Sequence, residues 1–212
     1  MLNAHHIYQG ELILICGQCH EEKYMTNIIQ RVKQLGWAIS ANFKKCNEQR
    51  IKEELTMEEQ KLFFAMSKVD QYHSYRVYEA VNQIWEQEHL QGCKKSKAKA
   101  DQYEYRILKK TALLHDTGRI KGQFSIIHKV MAVVFDAVLD KKPKQEKKRI
   151  LERIIENRKP RFLYVYYQHP ILSKNKLEQI GSDPLLLELT EYHHSNRSYK
   201  LLDILKRADS QN

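Results

Sequence analysis

Apolar residues recur at helical spacing along most of the chain, and that pattern predicts an all-α protein. Residues 26–36 read as a helix stopped by Gly36. Thr56-Met57-Glu58-Glu59 is a capping box opening a helix that carries Leu62, Phe63, Met66 and Val69. A further helix holds Val77, Val81 and Ile84, and residues 104–116 set Ile107, Leu108, Ala112 and Leu113 on one face. The strongly apolar residues 124–139 are expected at the centre of the core. Ile150, Ile154 and Ile155 mark a helix that should stop before Pro160, because proline disfavours helix in the residue before it. Phe162 to Tyr167 fits a strand or a buried helix, which periodicity cannot separate at that length. Ser182-Asp183-Pro184 starts a helix running to His193-His194, with proline tolerated in the first turn. A last helix covers 199–210, and no internal repeat is visible.

With 212 residues the chain can bury a core without disulfide staples, and 7 Gly and 4 Pro are too few for a turn-dense β fold. The longest apolar run, Val130 to Phe135, is far short of the roughly 18 residues of a membrane span, so no membrane partner is expected. The formal charge is +10. Much of it lies in a basic stretch from Lys141 to Arg161, read as a loop leading into the Ile150 helix; a second cluster is Lys94, Lys95, Lys97 and Lys99. Such runs are solvated faces or attract a polyanion. No aromatic residues are interleaved within them, which weakens the case for a base-stacking platform.

Four cysteines, at 16, 19, 46 and 93, and no export signal point to a reducing cytoplasm. Cys16-Gly17-Gln18-Cys19-His20 has the haem c attachment spacing, but that chemistry belongs outside the cytoplasm, and a zinc site lacks two further ligands. Residues 1–24 differ in texture from the rest, with a β-like run from Glu11 to Cys16 and no helical partner for it. Codons for Glu21-Glu22-Lys23 can spell a ribosome-binding stretch, so Met25 is expected as the true start, with 1–24 a disordered or spurious extension. Residues 25–69 form a helical preamble that packs on the domain or makes a homodimer surface, and residues 70–212 form the main domain.

Ten histidines carry the functional argument. His73, His115, His169, His193 and His194 lie in segments read as helical, with polar or metal-compatible neighbours. His115-Asp116 ends an apolar helix, where a buried carboxylate needs compensation that a divalent cation supplies. Asp209 is a second carboxylate at an apolar helix end. Imidazole and carboxylate together suit zinc, iron, manganese and similar ions. His128 reads as a core or surface histidine; His5, His6, His20 and His89 receive no role. Asp70 and Gln71 either support His73 or start its helix.

The order His73, His115-Asp116, His169, His193-His194, Asp209 resembles the HD superfamily of metal-dependent phosphohydrolases. Asp70-Gln71-Tyr72-His73-Ser74-Tyr75-Arg76-Val77 looks like the family's first-histidine helix. Leu113-Leu114-His115-Asp116-Thr117-Gly118-Arg119 resembles its signature, and Tyr192-His193-His194 and Leu205-Lys206-Arg207-Ala208-Asp209 its later elements. No GYP-type signature follows His193-His194, which disfavours a cyclic-dinucleotide phosphodiesterase of that subtype. The resemblance covers residues 70–212 and implies an all-helical bundle binding one or two divalent metal ions. His73, His115, Asp116 and Asp209 would hold one; His169 with one or both of His193 and His194 would hold a second, with Asp116 shared. It implies hydrolysis of a phosphoester of a nucleotide or related anionic small molecule by a metal-activated hydroxide. Monoester and diester substrates both remain open. Asp116 and Arg119 would be catalytic, with Arg119 and Arg76 as phosphate contacts or structural ion pairs. The alternative is a regulatory or nucleic-acid-binding module on the same scaffold with little turnover.

Overall fold

The computed structural model describes residues 46–90, 98–119 and 126–212. Among these the chain is all-α, with helices α1 (Glu48–Glu54), α2 (Met57–Ala65), α3 (Lys68–Leu90), α4 (Ala98–Leu114), α5 (Ile126–Leu139), α6 (Lys144–Asn157), α7 (Arg161–Gln179), α8 (Pro184–Tyr192) and α9 (Lys200–Ser210). The sequence readings at 1–24 and 26–36, the Cys16 and Cys93 sites and Lys94, Lys95 and Lys97 fall outside the described residues.

The long helices α3 and α4 pack on each other, α9 lies on α3, and α8 bridges α4 and α7. Val77, Tyr78, Val81, Ile84 and Trp85 give α3 an apolar stripe that meets Ile107, Leu108 and Ala112 of α4. Leu201, Leu202, Leu205 and Ala208 of α9 join the same core. So do Ile51, Leu55, Phe63 and Met66, which place the preamble on the domain. A smaller cluster around Ala132, Ile154 and Leu163 joins α5, α6 and the start of α7.

The capping box at Thr56 forms: the Thr56 amide donates to Glu59 Oε2 at 2.8 Å, and the Glu59 amide to Thr56 Oγ1. The helix it opens is shorter than its apolar spacing suggests. It ends at Ala65, and Val69 belongs to α3. Met66 is extended, Gln71 donates to the carbonyls of Phe64 and Met66, and Ser67 accepts the Asp70 amide to start the next helix. Asp70 and Gln71 therefore build this junction. Asp70 is fully buried and pairs at 2.5 Å with Lys129 of α5. Lys129→Met should leave that carboxylate unpaired and cost about 1–3 kcal/mol in urea unfolding. An unchanged midpoint would show that the pair adds nothing.

Two expectations need correction. Residues 126–139 are not central. Among the described side chains of α5, Ala132 and Leu139 are buried, while Ile127, Val130, Met131, Val134 and Val138 face solvent. The apolar run is long enough to supply two faces, and only one is covered. The basic stretch is not a loop: helix begins at Lys144, six residues before Ile150, because Ile150, Leu151 and Ile154 anchor a face whose opposite side is charged. The ambiguous residues 162–167 are helical. Leu163 and Val165 are both buried, and the helix continues to Gln179.

Candidate metal centre

Five separate elements deliver the seven expected ligands to one place. His73 lies in the second turn of α3 and His169 in the middle of α7. His115 and Asp116 sit in the turn just beyond α4, His193 and His194 just beyond α8, and Asp209 in the last turn of α9. The expectation that all five histidines are helical is thus corrected for three of them. A turn past a helix end frees the backbone to aim two successive side chains inward.

The ligand atoms form two trios. Those of His73, His115 and Asp209 lie within 4.8 Å of one another, as do those of His169, His193 and His194, and a third group, His115, Asp116 and His193, spans the two. Asp116 stands between them. Its Oδ2 is 3.8 Å from His73 Nε2 and 3.7 Å from His115 Nε2, and its Oδ1 is 3.4 Å from His169 Nε2. His73 Nε2 is 3.0 Å from Asp209 Oδ1. The rings of His115 and His193 stand 5.1 Å apart and those of His193 and His194 4.1 Å, so the two trios are continuous.

One local device orients three of the histidines. Nδ1 of His115 donates to the Ala112 carbonyl, Nδ1 of His169 to Tyr166, and Nδ1 of His193 to Thr190, each three residues back, at 2.6–2.9 Å. Each bond places the ring proton on Nδ1 and turns the Nε2 lone pair to the centre. At His115 and His193 the accepting carbonyl is one that a helix end leaves without a helical partner. Within α7 the same vacancy is made by Pro170, which has no N–H to give to Tyr166.

Gly118 fits the turn after α4 against α7. A Cβ there would stand 2.6 Å from the His169 carbonyl oxygen and 2.9 Å from Ser173 N, so no side chain fits. The Gly118 amide donates to Ser173 Oγ at 2.8 Å, and Lys176 Nζ to the Thr117 carbonyl at 2.6 Å. Burial pushes the Lys176 amine down to about 8. Ser173 and Lys176 were not singled out from sequence. Their one signal was position, on the α7 face one and two turns after His169.

Asp116, His115, His169 and His193 are almost wholly buried. Burial alone would raise the Asp116 carboxyl, but Arg119 and the histidines around it hold it well below the usual range. Arg119 ion-pairs with Asp116, and its Nη2 lies 3.0 Å from His169 Nε2. The compensation expected from a cation is therefore supplied in part by the chain itself. Arg76 is half-buried one turn beyond His73. The centre still has atoms without partners: His115 Nε2, His193 Nε2 and Asp116 Oδ1 are buried and make no hydrogen bond. Buried polar atoms left so cost about 1–3 kcal/mol each, and bound cations taking these lone pairs would satisfy them. The donor set of imidazoles and carboxylates fits a divalent transition metal.

Burial drives the His169 and His193 rings well below their ordinary range. A group depressed in the folded state lets the unfolded chain bind protons first. Metal-free protein should therefore lose stability as pH falls below about 6.5, by up to about 1.4 kcal/mol per pH unit per histidine. Asp116 adds a loss of the same sign below about pH 4. Urea midpoints from pH 8 to 5 test this, and a flat profile would contradict it.

No known protein family, curated protein or solved structure matches the chain.

Proposed function

We infer that the protein is a metal-dependent phosphohydrolase acting on a nucleotide or related phosphorylated small molecule. The observation that carries this reading is the pair of ligand trios flanking Asp116, with inward Nε2 and carboxylate atoms lacking partners. The ordered resemblance to HD phosphohydrolases supports it. His73, His115 and Asp209 with Asp116 Oδ2 would hold one divalent ion, and His169, His193 and His194 with Asp116 Oδ1 a second. Such ions, when bound, lower the pKa of water and polarise a phosphoryl oxygen.

The chain's own residues divide the remaining work. The Nδ1 hydrogen bonds keep three imidazoles in the tautomer that binds cations. Arg119, beside the shared carboxylate, supplies positive charge for phosphoryl oxygens that gain charge in the transition state. Arg76 offers a second cation on the His73 side. His73 and Asp209 each expose about a fifth of the side chain and His194 more, so they mark the side from which substrate enters.

A panel of nucleoside mono-, di- and triphosphates, sugar phosphates and a chromogenic phosphodiester, assayed with Mn, Fe, Zn and Mg, tests the reading. Turnover abolished by chelator and restored by one of these ions is expected. Metal-loaded protein that turns over nothing in the panel would favour the second reading, a nucleic-acid-binding module using the exposed cations of α6 and its flanks. Steep salt dependence of RNA or DNA affinity would then be its mark.

A further inference from the structure

Helix α5 is built inside out. Its charged side chains point into the protein: Lys129 pairs with Asp70, and Asp136 accepts from the hydroxyls of Tyr166 and Tyr167. His128 stacks on Phe162. The outward side carries Ile127, Val130, Met131, Val134 and Val138, each 39–67% exposed. Their spacing, i, i+3, i+4, i+7 and i+11, makes one unbroken apolar stripe with no charge in it.

The stripe runs into the most basic part of the chain. Lys141, Lys142 and Lys144 follow at its end, all exposed, and residues 141–161 hold ten basic residues against three acidic ones. Three cations are offset locally, Lys142 by Glu146, Lys147 by Asp140 and Lys148 by Glu152. Lys141, Lys144, Arg149 and Arg153 make no ion pair among the described residues and are exposed.

We propose that α5 and the basic segment after it form a docking face for an anionic phospholipid surface. Helix α5 lies in the headgroup plane with its apolar stripe inserted, and the cations meet lipid phosphates. The two halves of the patch select this occupant. A nucleic acid rewards the cations but gives nothing for five aliphatic side chains. A second copy of the chain would bring two +7 segments towards each other. The stripe is also ~17 Å long and one helix wide, far below the ~800 Å² per partner of a standard interface. An anionic bilayer satisfies both halves at once, and peripheral docking needs no spanning helix. None of the described helices is long and apolar enough to cross a membrane. The short apolar runs argue against a spanning segment, not against a helix lying in the headgroup plane. This face uses none of the metal-centre residues and stands or falls apart from the catalytic reading.

Co-sedimentation of the full chain with vesicles decides it, comparing phosphatidylcholine alone with a mixture of about one third phosphatidylglycerol. Binding to the anionic vesicles is expected to be at least about ten-fold tighter, and to weaken with salt. Val134→Asp should weaken it about ten-fold or more by placing a charge in the stripe, and Val134→Ser less. Lys141→Glu with Lys144→Glu should cost about five-fold or more per site. These residues are exposed, so unchanged thermal melts should accompany each variant. Three outcomes would overturn the proposal: no binding at low salt; Val134→Asp binding as tightly as wild type, which would mean charge adsorption alone; or a dimer dispersed by Val134→Asp with vesicles unbound, which would assign the stripe to a second copy.

Discussion

Asp116→Ala should strip bound metal from the protein and lower phosphoester turnover by on the order of 10³-fold or more. The carboxylate is fully buried, and its two oxygens face the two trios separately. Its loss removes a ligand from both. His115→Ala should do nearly as much to the first trio, whereas His169→Ala should remove only the second ion. Elemental analysis therefore reads the architecture directly: a metal-to-chain ratio near two should fall towards zero in Asp116→Ala and towards one in His169→Ala. A wild-type ratio near one that His169→Ala leaves unchanged would reduce the centre to a single ion. Because Arg119 loses its partner in Asp116→Ala, Asp116→Asn belongs beside it. The amide keeps the shape while weakening the ligand. Full metal in both variants would remove Asp116 from the centre and the catalytic reading with it.

Gly118→Ala should damage both the fold and the metal centre with a single methyl. The added carbon would meet the His169 carbonyl at 2.6 Å and the Ser173 amide at 2.9 Å, both backbone of the same helix. Neither can move without displacing His169 itself. Overpacking of this kind costs about 1–3 kcal/mol, or about 3–10 °C in Tm for a chain of this size. The same shift should separate His169 from Asp116, so metal affinity should fall along with stability. Gly181→Asn is the contrasting control. Gly181 has φ +70° with nothing within 4 Å of a Cβ, and asparagine tolerates that left-handed backbone. A calorimetric melt of both variants tests the argument. Equal small losses would mean that the Gly118 approach is not tight.

Much of the fold was legible because helices advertise themselves by period. The capping box at Thr56, the stop before Pro160 and the start at Asp183 all rest on local rules, and all three appear where those rules put them. Burial was the weaker inference. Helix α5 and a core helix have the same composition, and nothing local tells Ala132 inward from Val134 outward. The seven expected ligands are gathered at one centre, since an ordered set of histidines and carboxylates survives without knowledge of geometry. What the sequence could not disclose were the supports. The Tyr166 carbonyl becomes available only once Pro170 is known to lie inside a helix. Ser173 and Lys176 matter only because the turn at Gly118 lands on them. Arg119 shows the limit of chemistry read from residue type. By residue type it fits a phosphate contact or an ion pair, and the fold pairs it with Asp116 while leaning it on His169.

His73 and Asp209 meet at 3.0 Å although most of the described chain lies between them. That contact gives the centre a place in the folding sequence. Closing so long a loop carries its entropy cost before any ligand pair is made, and neither trio has all its members on one helix. A metal ion offered to the unfolded chain therefore meets scattered imidazoles with ordinary affinity, and tight binding arrives only when α9 has docked on α3. Metal uptake during refolding should trail the recovery of helical signal, which makes it a clock for the final step.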